Sequence, residues 1–536
     1  MRLRKGSRLL SGLTAVLLTG ALATAAMAEP TGASPVPSPL SAQPASMWQT
    51  NNVVWAMEYH AGVVFAGGSF TSVRPPGVAM NGPGQVAQGR LAMFNAATGA
   101  FISTFRPTFN GEVDTLNVSP DGSRLYVGGT FTQVNGQARQ RIAVFDLSNM
   151  SNPSLMPTSA FNGRLNRKVY DIFSTNNTVY VAGAFTQANN TPRTLVASFT
   201  ANGGALNPWN VAISDVPSDV SAPWASSITA GNGRVYIGGQ FLTVNGVAQT
   251  GLAVVNDTTG ASDPGFAIPV RAPNGGWVTD VLYYPPTNTL FIVGRVPPAR
   301  AGTRLEGIEA LDGTDGTVRW GGDNHRCLGD AFGLMVFDNI VWMATHAHDC
   351  SQIGTFPEST PRFSWHAALL GQDINTGEQV TFIPQVSGRN SISGSLNNTR
   401  AMTNDGTNMF VGGGFASVDG FGNQQDLIKF VPKNGTGGIT PAKPARPTVT
   451  SSGGDATITW RGVFDRDDRN LTYQVLRRSS NTPIYSVTAD SPWWNEPTLT
   501  FTDTSVNAGA SVYYRIRVLD ATNRVTSNRS TTITVQ

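Results

Sequence analysis

The sequence carries little charge and no large excess of either sign. Charged residues make up 13% of the 536 residues, and the formal net charge is +3. Four basic residues, Arg2, Arg4, Lys5 and Arg8, lie in an N-terminal leader, so the chain beyond the leader is slightly acidic. It has no electrostatic footprint for nucleic acid and no basic amphipathic helix for a membrane surface. We therefore expect no nucleic-acid partner.

Long apolar runs are also missing, apart from one near the N-terminus. Residues 9–25 are apolar, follow the basic residues and precede the A-x-A cleavage site at residues 26–28. This order predicts a signal peptide over residues 1–28 and a secreted, extracellular protein. Residues 29–44 are rich in Pro, Ser and Ala, which predicts a linker. No other stretch is long enough to span a bilayer, so no membrane span is expected.

Cysteines and familiar catalytic motifs are scarce as well. The chain has two cysteines, Cys327 and Cys350, and in a secreted protein they predict a single disulfide. The sequence has no G-x-S-x-G, H-E-x-x-H or P-loop motif. It therefore names no catalytic residue and no reaction.

Glycine is abundant, with 58 residues, and it marks an internal repeat. Residues 125–131, Leu-Tyr-Val-Gly-Gly-Thr-Phe, form an apolar run that ends at a glycine doublet and is followed by an aromatic residue. Six further segments share this pattern or a degenerate form of it: 63–70, 179–185, 235–241, 290–294, 341–346 and 409–415. Self-similarity at a period of about 50 to 70 residues is typical of a β-propeller.

Each repeat unit predicts an antiparallel sheet. In one unit, residues 112–118 and 125–127 form strands around a Ser-Pro-Asp-Gly turn, and residues 141–146 form a third strand. A short fourth strand is expected near one aromatic residue of each unit: Phe105, Phe161, Trp209, Phe266, Trp320 and Phe382. Four strands per unit predict a seven-bladed β-propeller over residues 45–435. The last unit lacks its fourth strand, and we expect residues 46–50 to supply it and close the ring.

The rest of the chain predicts a second all-β domain. Residues 436–446 are rich in Gly and Pro and predict a linker. Residues 447–536 follow, with clear alternation of apolar and polar residues in 456–460, 471–476 and 514–518. About 90 residues with strands at this spacing predict a small β-sandwich.

Both parts resemble known families. The glycine doublets, as in Tyr126-Val127-Gly128-Gly129, and the aromatic residue after them resemble kelch and galactose-oxidase-like propellers and secreted bacterial delta-60 repeats. The C-terminal part is similar to fibronectin type III domains in the placement of three aromatic residues: Trp460, Tyr473 and Tyr514. The combination resembles secreted propeller–fibronectin III proteins of high-GC Gram-positive bacteria. The resemblance implies an all-β, seven-bladed propeller followed by a fibronectin III-like sandwich, and it implies no particular activity.

The sixth repeat unit holds four of the five histidines: His325, His346, His348 and His366. On the blade pattern they lie in the connections between strands four and one and between strands two and three, which open on the same face. Cys327 and Cys350 lie in the same two connections. His346 and His348 are two residues apart, so in an extended segment they point the same way, and Asp349 follows them. The four histidines and Asp349 are predicted binding residues, and the histidines could hold a transition metal, although the cofactor is unknown. The alternative is a disulfide-braced lobe whose histidines only form hydrogen bonds.

Other candidates are weaker. Trp493 and Trp494 predict either a sugar-stacking platform or simple packing. The acidic loop at residues 465–468 is either a solvated loop or a calcium site. Three other tryptophans are expected in the blade cores: Trp48, Trp55 and Trp224.

Two hypotheses for function follow. In the first, the protein is a secreted, monomeric scaffold that binds extracellular polysaccharide or a cell-envelope component, because low charge with many Asn, Thr and Trp residues favours carbohydrate. In the second, it is an extracellular enzyme acting on carbohydrate, in which the sixth-blade histidines hold a metal or act as acid and base.

Overall fold

The computed structural model describes residues 39–150, 157–159, 161–216, 221–267, 277–295, 307–321, 327–361, 367–387, 398–419, 424–433, 439–466, 468–520 and 523–536. The predicted signal peptide and most of the predicted linker at residues 29–44 lie outside these residues. The described residues belong to one unit, Pro35–Gln536. Within them, the helices are two single 3₁₀ turns, Pro285–Thr287 and Ser351–Ile353, and none is long and apolar enough to cross a membrane.

Seven antiparallel sheets make up most of the described chain, and we number them sheet one to sheet seven in chain order. In each, strands one, two and three pair in that order, and sheet five has a fourth strand. The strands are Val54–His60, Val63–Gly68 and Leu91–Asn95; Val113–Val118, Arg124–Gly129 and Ile142–Asp146; Val169–Ser174, Thr178–Gly183 and Val196–Thr200; Trp224–Gly231, Arg234–Gln240 and Leu252–Asn256; Trp277–Tyr284, Thr289–Arg295, Ile308–Asp312 and Val318–Trp320; Ala331–Phe337, Ile340–Ala347 and Ala367–Asp373; Asn398–Asn404, Met409–Gly414 and Leu427–Phe430.

The first strands of the seven sheets contact one another in a closed ring. Each contacts the first strand of the next sheet, and the first strand of sheet seven contacts that of sheet one. The sheets are therefore arranged around a central channel. The connection between strands two and three commonly folds into a small hairpin. In some sheets, a short strand from the connection that leads into the first strand pairs with this hairpin. These short strands, sheet by sheet, are Gln49–Thr50, Ser72–Arg74 and Val86–Ala87; Gln133–Val134 and Gln137–Ala138; Gln187–Ala188 and Thr191–Pro192; Ile213–Ser214, Thr243–Val244 and Val247–Ala248; Val386–Ser387 and Ser417–Val418.

The glycine doublets let neighbouring backbones approach closely. A Cβ on Gly128 would lie 2.6 Å from Val169 Cγ1 in the next sheet, and a Cβ on Gly129 would lie 2.1 Å from the Glu112 carbonyl oxygen in the same sheet. The first glycine therefore makes room for a side chain of the neighbouring sheet, and the second makes room for the backbone carbonyl at the start of the first strand of its own sheet. The same contacts recur at Gly67 and Gly68, at Gly238 and Gly239, and at Gly412 and Gly413.

The aromatic residues expected near the fourth strands pack between sheets. All six are buried: Phe105, Phe161, Trp209, Phe266, Trp320 and Phe382. Trp209 Nε1 donates to the Asn256 carbonyl of the next sheet at 3.0 Å. The fourth strand itself is reduced to a single bridge in four sheets: Phe94–Phe101, Phe199–Leu206, Val255–Ser262 and Gln372–Gln379. These side chains therefore join one sheet to the next even where the fourth strand is short.

The N-terminal segment pairs with the last sheet. Leu40 bridges Pro432, and the Ala45 amide donates to the Lys429 carbonyl at 2.8 Å. Leu40 is fully buried, so this end of the expected linker belongs to sheet seven. The closing segment is residues 40–45 rather than the expected 46–50, because Gln49–Thr50 pairs with the hairpin of sheet one instead.

The C-terminal residues form two further sheets around one apolar cluster that includes Trp460, Tyr473 and Tyr514. One sheet contains Thr448–Ser452, Asp455–Arg461 and Thr498–Asp503; the other contains Pro483–Asp490, Asn470–Arg477, Tyr514–Leu519 and Arg524–Thr526; Ser511–Val512 pairs with Ile533–Thr534.

Candidate binding site at the channel mouth

One residue bulges from the first strand of every sheet, near the start of the strand. At this point the register with the second strand shifts by one residue. A bulge leaves one residue outside the ladder and re-aims its side chain. We name the seven bulge residues the channel-mouth ring: Trp55, Asp114, Tyr170, Ser226, Thr279, Phe332 and Arg400. They lie at one level around the channel, on the face where the connections between strands two and three emerge.

Arg400 of sheet seven lies between two aromatic residues of the ring. Its guanidinium carbon is 5.2 Å from the Trp55 ring centroid in sheet one and 3.5 Å from the Phe332 centroid in sheet six. Arg400 Nε donates to Asn398 Oδ1 at 3.2 Å. His346 also stacks on Phe332, with the two ring centroids 5.7 Å apart. This side of the mouth combines aromatic faces with a cation.

The other four members of the ring, in sheets two to five, are mostly polar. Lys168 Nζ lies 2.7 Å from Asp114 Oδ1 and 4.9 Å from the Tyr170 ring centroid. The Asp114 side chain is 8% exposed. Burial raises the pKa of Asp114 to about 6, although the Lys168 ammonium lowers it.

A belt of hydrogen bonds joins the sheets one residue further along their first strands. Thr115 Oγ1 donates to Asp171 Oδ1 at 3.2 Å, and Ser227 Oγ lies 3.0 Å from Asp171 Oδ2 and 2.6 Å from Asp280 Oδ1. The Leu334 amide donates to Asp280 Oδ2 at 2.7 Å. The belt therefore runs from sheet two to sheet six and holds the ring members at a fixed level.

When both carboxylates are ionised, the Ser227 hydroxyl can donate to only one of the two carboxylate oxygens that lie beside it, Asp171 Oδ2 and Asp280 Oδ1. Burial raises the pKa of Asp171 to about 6 and that of Asp280 to about 7, and the Asp171 charge adds to the rise at Asp280. The Ser227 hydroxyl has one proton and lies between the two carboxyl groups. A proton on Asp280 resolves the conflict, because Asp280 then donates to Ser227 and Ser227 donates to Asp171.

The predicted disulfide between Cys327 and Cys350 is confirmed, with their Cα atoms 4.1 Å apart. It joins the two connections of sheet six on the mouth side. Beside it, His348 Nδ1 lies 2.7 Å from Glu358 Oε2. Asp349 Oδ1 accepts from the Ser351 amide and hydroxyl, at 3.0 and 2.7 Å, so the Asp349 carboxyl group is held in a local turn just before the short helix Ser351–Ile353.

The structure gives the two described histidines of sheet six different neighbours. His346 packs on Phe332, whereas His348 is buried and pairs with Glu358. His325 and His366 lie outside the described residues. Within the described part of the chain, no group of three His, Cys, Asp or Glu residues could hold a metal ion. A metal site at the four histidines stays a prediction.

The sequence-based prediction did not include the channel-mouth ring. It placed Trp55 and Trp224 in blade cores, yet Trp55 is a half-buried ring member and Trp224 is half-buried against Trp277, at 5.8 Å between centroids. The sequence does contain a signal for the ring, because the bulge residue lies just before the alternating part of the first strand in every unit. Counting back from the first doublet position or its equivalent, the bulge residue lies 12 residues earlier in five units and 14 residues earlier in the units of Asp114 and Thr279, so an alignment of the units has to allow for the longer turn in these two.

Comparison with known proteins then decides the fold. The family model of the Rax2 C-terminal β-propeller domain matches residues 91–222, from the third strand of sheet one to the residues before sheet four. The chain contains a β-propeller. The predicted all-β fold and the propeller are thereby confirmed. No curated protein matches the propeller chain.

Several solved structures are similar to this propeller chain at low identity. A chain of a mitotic checkpoint complex is 12% identical with a TM-score of 0.38, and the match covers 75% of this chain and 98% of that one. Dihydro-heme d1 dehydrogenase NirN in complex with DHE is 12% identical with a TM-score of 0.34, over 83% and 72%. A puromycin-hydrolyzing peptidase of Mycobacterium tuberculosis is 11% identical with a TM-score of 0.34, over 80% and 60%.

Proposed function

We propose that this protein is a secreted scaffold that binds an extracellular polysaccharide or cell-envelope component at the channel-mouth ring. The observation that carries the proposal is Arg400 held between Trp55 and Phe332, with Tyr170 and Lys168 across the channel. The Trp55 and Tyr170 rings can pack on the apolar faces of sugar rings, whereas Phe332 is covered by Arg400 and His346 and helps to position the cation. The Arg400 guanidinium can donate several directed hydrogen bonds to hydroxyl or carboxylate oxygens. A rigid ring of such groups suits a sugar better than a flexible peptide.

The proposed architecture is a kelch-like propeller with seven blades over residues 45–435 and a fibronectin III-like domain over residues 447–536, in a monomer. Seven sheets in a closed ring support the blade number. The order of strands in the two C-terminal sheets supports the second domain, as does its buried Trp460. The leader at residues 1–28 and the disulfide support secretion.

Glycan arrays followed by calorimetric titration of the full chain test the binding proposal. Arg400→Met and Trp55→Ala should each weaken binding about tenfold or more, which corresponds to about 1.4 kcal/mol. Arg319→Met is the matched control, because Arg319 lies on the outermost strand of sheet five and pairs with Asp312. Failure of every glycan to bind, or unchanged affinity in both ring variants, would contradict the proposal.

A second proposal is an extracellular enzyme acting on carbohydrate, with a transition metal at His325, His346, His348 and His366. The contact between His348 and Glu358 favours it, because metal-binding histidines commonly pair their other ring nitrogen with a carboxylate. Elemental analysis of the purified protein beside a His346→Ala, His348→Ala variant tests this proposal. Stoichiometric metal only in the wild type would support it, and no metal in either would reject it.

A further inference from the structure

The C-terminal domain presents an aromatic pair to the propeller. Trp493 and Trp494 pack on Phe356 of sheet six, at 5.5 and 6.0 Å between ring centroids. Phe356 is fully buried, so the contact excludes water from its ring. These contacts therefore support packing, rather than a sugar-stacking platform, as the role of Trp493 and Trp494.

The disulfide fixes Phe356 in position. The Cys350 amide donates to the Phe356 carbonyl at 2.7 Å, and the Cys350 carbonyl accepts from the Thr355 hydroxyl at 3.1 Å. Because Cys350 is covalently tied to Cys327, the loop that carries Phe356 is anchored at its base. The aromatic contact is thus made to a rigid part of the propeller.

A charged contact lies beside the aromatic one, at a position that is specialised in sheet seven. In the hairpins of sheets two and four, Asn135 and Asn245 adopt positive φ, and their side-chain oxygens accept from a backbone amide of the preceding connection. Asp419 has the same conformation, and its Oδ1 accepts from the Gln385 amide at 3.0 Å. In sheet seven a carboxylate thus takes the place that the asparagine amide has in sheets two and four, and this carboxylate forms an ion pair with Arg466 of the C-terminal domain.

The connection between the two domains is also packed. Lys433 Nζ lies 2.7 Å from Asp468 Oδ2. Ile439 packs on the apolar cluster of sheet seven, and three prolines at every third position are buried: Pro441, Pro444 and Pro447. This spacing matches the three residues per turn of a polyproline helix, which behaves as a semi-rigid spacer.

We infer that the C-terminal domain is a docked, fixed part of the propeller at sheets six and seven, with Asp419–Arg466 and Phe356–Trp493–Trp494 as its lock. The surface that the tryptophan pair occupies is therefore an intramolecular interface. Phe356 is two residues from Glu358, so the docked domain also supports the loop that brings Glu358 to His348. The inference does not depend on the proposed ligand.

Small-angle X-ray scattering of the full chain tests the inference. The wild-type curve should fit the docked arrangement. Arg466→Glu combined with Trp494→Ala should lengthen the maximum dimension, because the charge reversal repels Asp419 and the truncation removes aromatic contact. Asp419→Asn is a milder variant, because it removes the charge of the ion pair with Arg466 but keeps the hairpin, in which asparagine has this position in sheets two and four.

Asp263→Asn is the matched control, because Asp263 forms a comparable ion pair with Arg234 away from the interface. It should scatter like the wild type. Circular dichroism confirms that each variant is folded. The inference is overturned if the wild type scatters as two tethered bodies, or if the folded double variant keeps the wild-type dimension.

Discussion

Single residues at the bulges decide what the channel mouth presents to a ligand. The seven positions are equivalent in backbone geometry, yet they carry aromatic, cationic, anionic and hydroxyl side chains. Arg400 contacts ring members of both neighbouring sheets, so its position depends on three sheets at once. The chemistry of the mouth can therefore change by substitution without changing the fold.

Asp280 should make the stability of the propeller depend on pH. Its pKa is raised from 3.8 to about 7 in the folded protein, mainly by burial. The folded state then binds more protons than the unfolded state between these values, so the stabilisation is present at low pH and lost as pH rises through about 7. We expect the melting temperature to fall between about pH 4 and about pH 7 and to level off above about pH 7.

Asp280→Asn should flatten this pH dependence, because asparagine stays neutral and can still donate to Ser227. The flattening should be partial, since burial also raises the pKa of Glu58 to about 7 and that of Asp171 to about 6. Thermal unfolding at several pH values measures the effect. Asp338→Asn, in an exposed turn, is the control. An unaltered slope in Asp280→Asn would rule out a proton on this carboxyl group.

At the scale of the element, the glycine doublet controls the distance between neighbouring sheets. Gly128→Ala would place a methyl group 2.6 Å from Val169 Cγ1 and 2.7 Å from Thr115 Cγ2. We expect it to lower the free energy of unfolding by about 1 to 3 kcal/mol, the usual cost of overpacking. Chemical denaturation measures this loss.

Gly203→Ala is the matched control for the doublet. Gly203 is exposed, and a Cβ there would meet only Thr200 Oγ1, at 3.7 Å. It should change the free energy of unfolding very little. Equal effects of the two substitutions would show that the doublet does not limit sheet separation.

For the whole molecule, closure of the ring depends on contacts between its two ends. Lys429 of sheet seven is buried, and its Nζ donates to the Ala96 and Ala97 carbonyls of sheet one, both at 2.7 Å. Lys429→Met keeps most of the side-chain length and removes the ammonium group that makes both hydrogen bonds. We expect a loss of about 1 to 3 kcal/mol in the free energy of unfolding, because the carbonyl of the buried Ala96 loses this donor.

Lys443→Met is the comparison for Lys429→Met in denaturant titrations. Lys443 Nζ contacts Asn528 Oδ1 at 3.0 Å on the exposed surface, so its loss should have little effect. If the two variants lose the same stability, the Lys429 contacts do not contribute to closure.

Much of the fold could be predicted because its causes are local. The apolar second strand, which ends at a glycine doublet or a degenerate form of it, and the turn before this strand recur along the chain, so each unit specifies its own sheet. The disulfide was also predictable, since two cysteines leave one possible pairing. The closing segment is residues 40–45 rather than the predicted 46–50, because Gln49–Thr50 pairs with the hairpin of sheet one, and the strand pattern alone does not tell which of two possible partners a segment takes.

The sequence by itself determined the all-β repeat, the propeller and the cysteine pair, because these follow from spacing and from turn chemistry within short segments. The tertiary structure alone decided which side chains meet. Trp55, Phe332 and Arg400 come from sheets one, six and seven, and Phe356 meets Trp493 across more than a hundred residues. Ring closure and domain docking bring such residues together, and no local pattern encodes a contact that depends on the path of the whole chain.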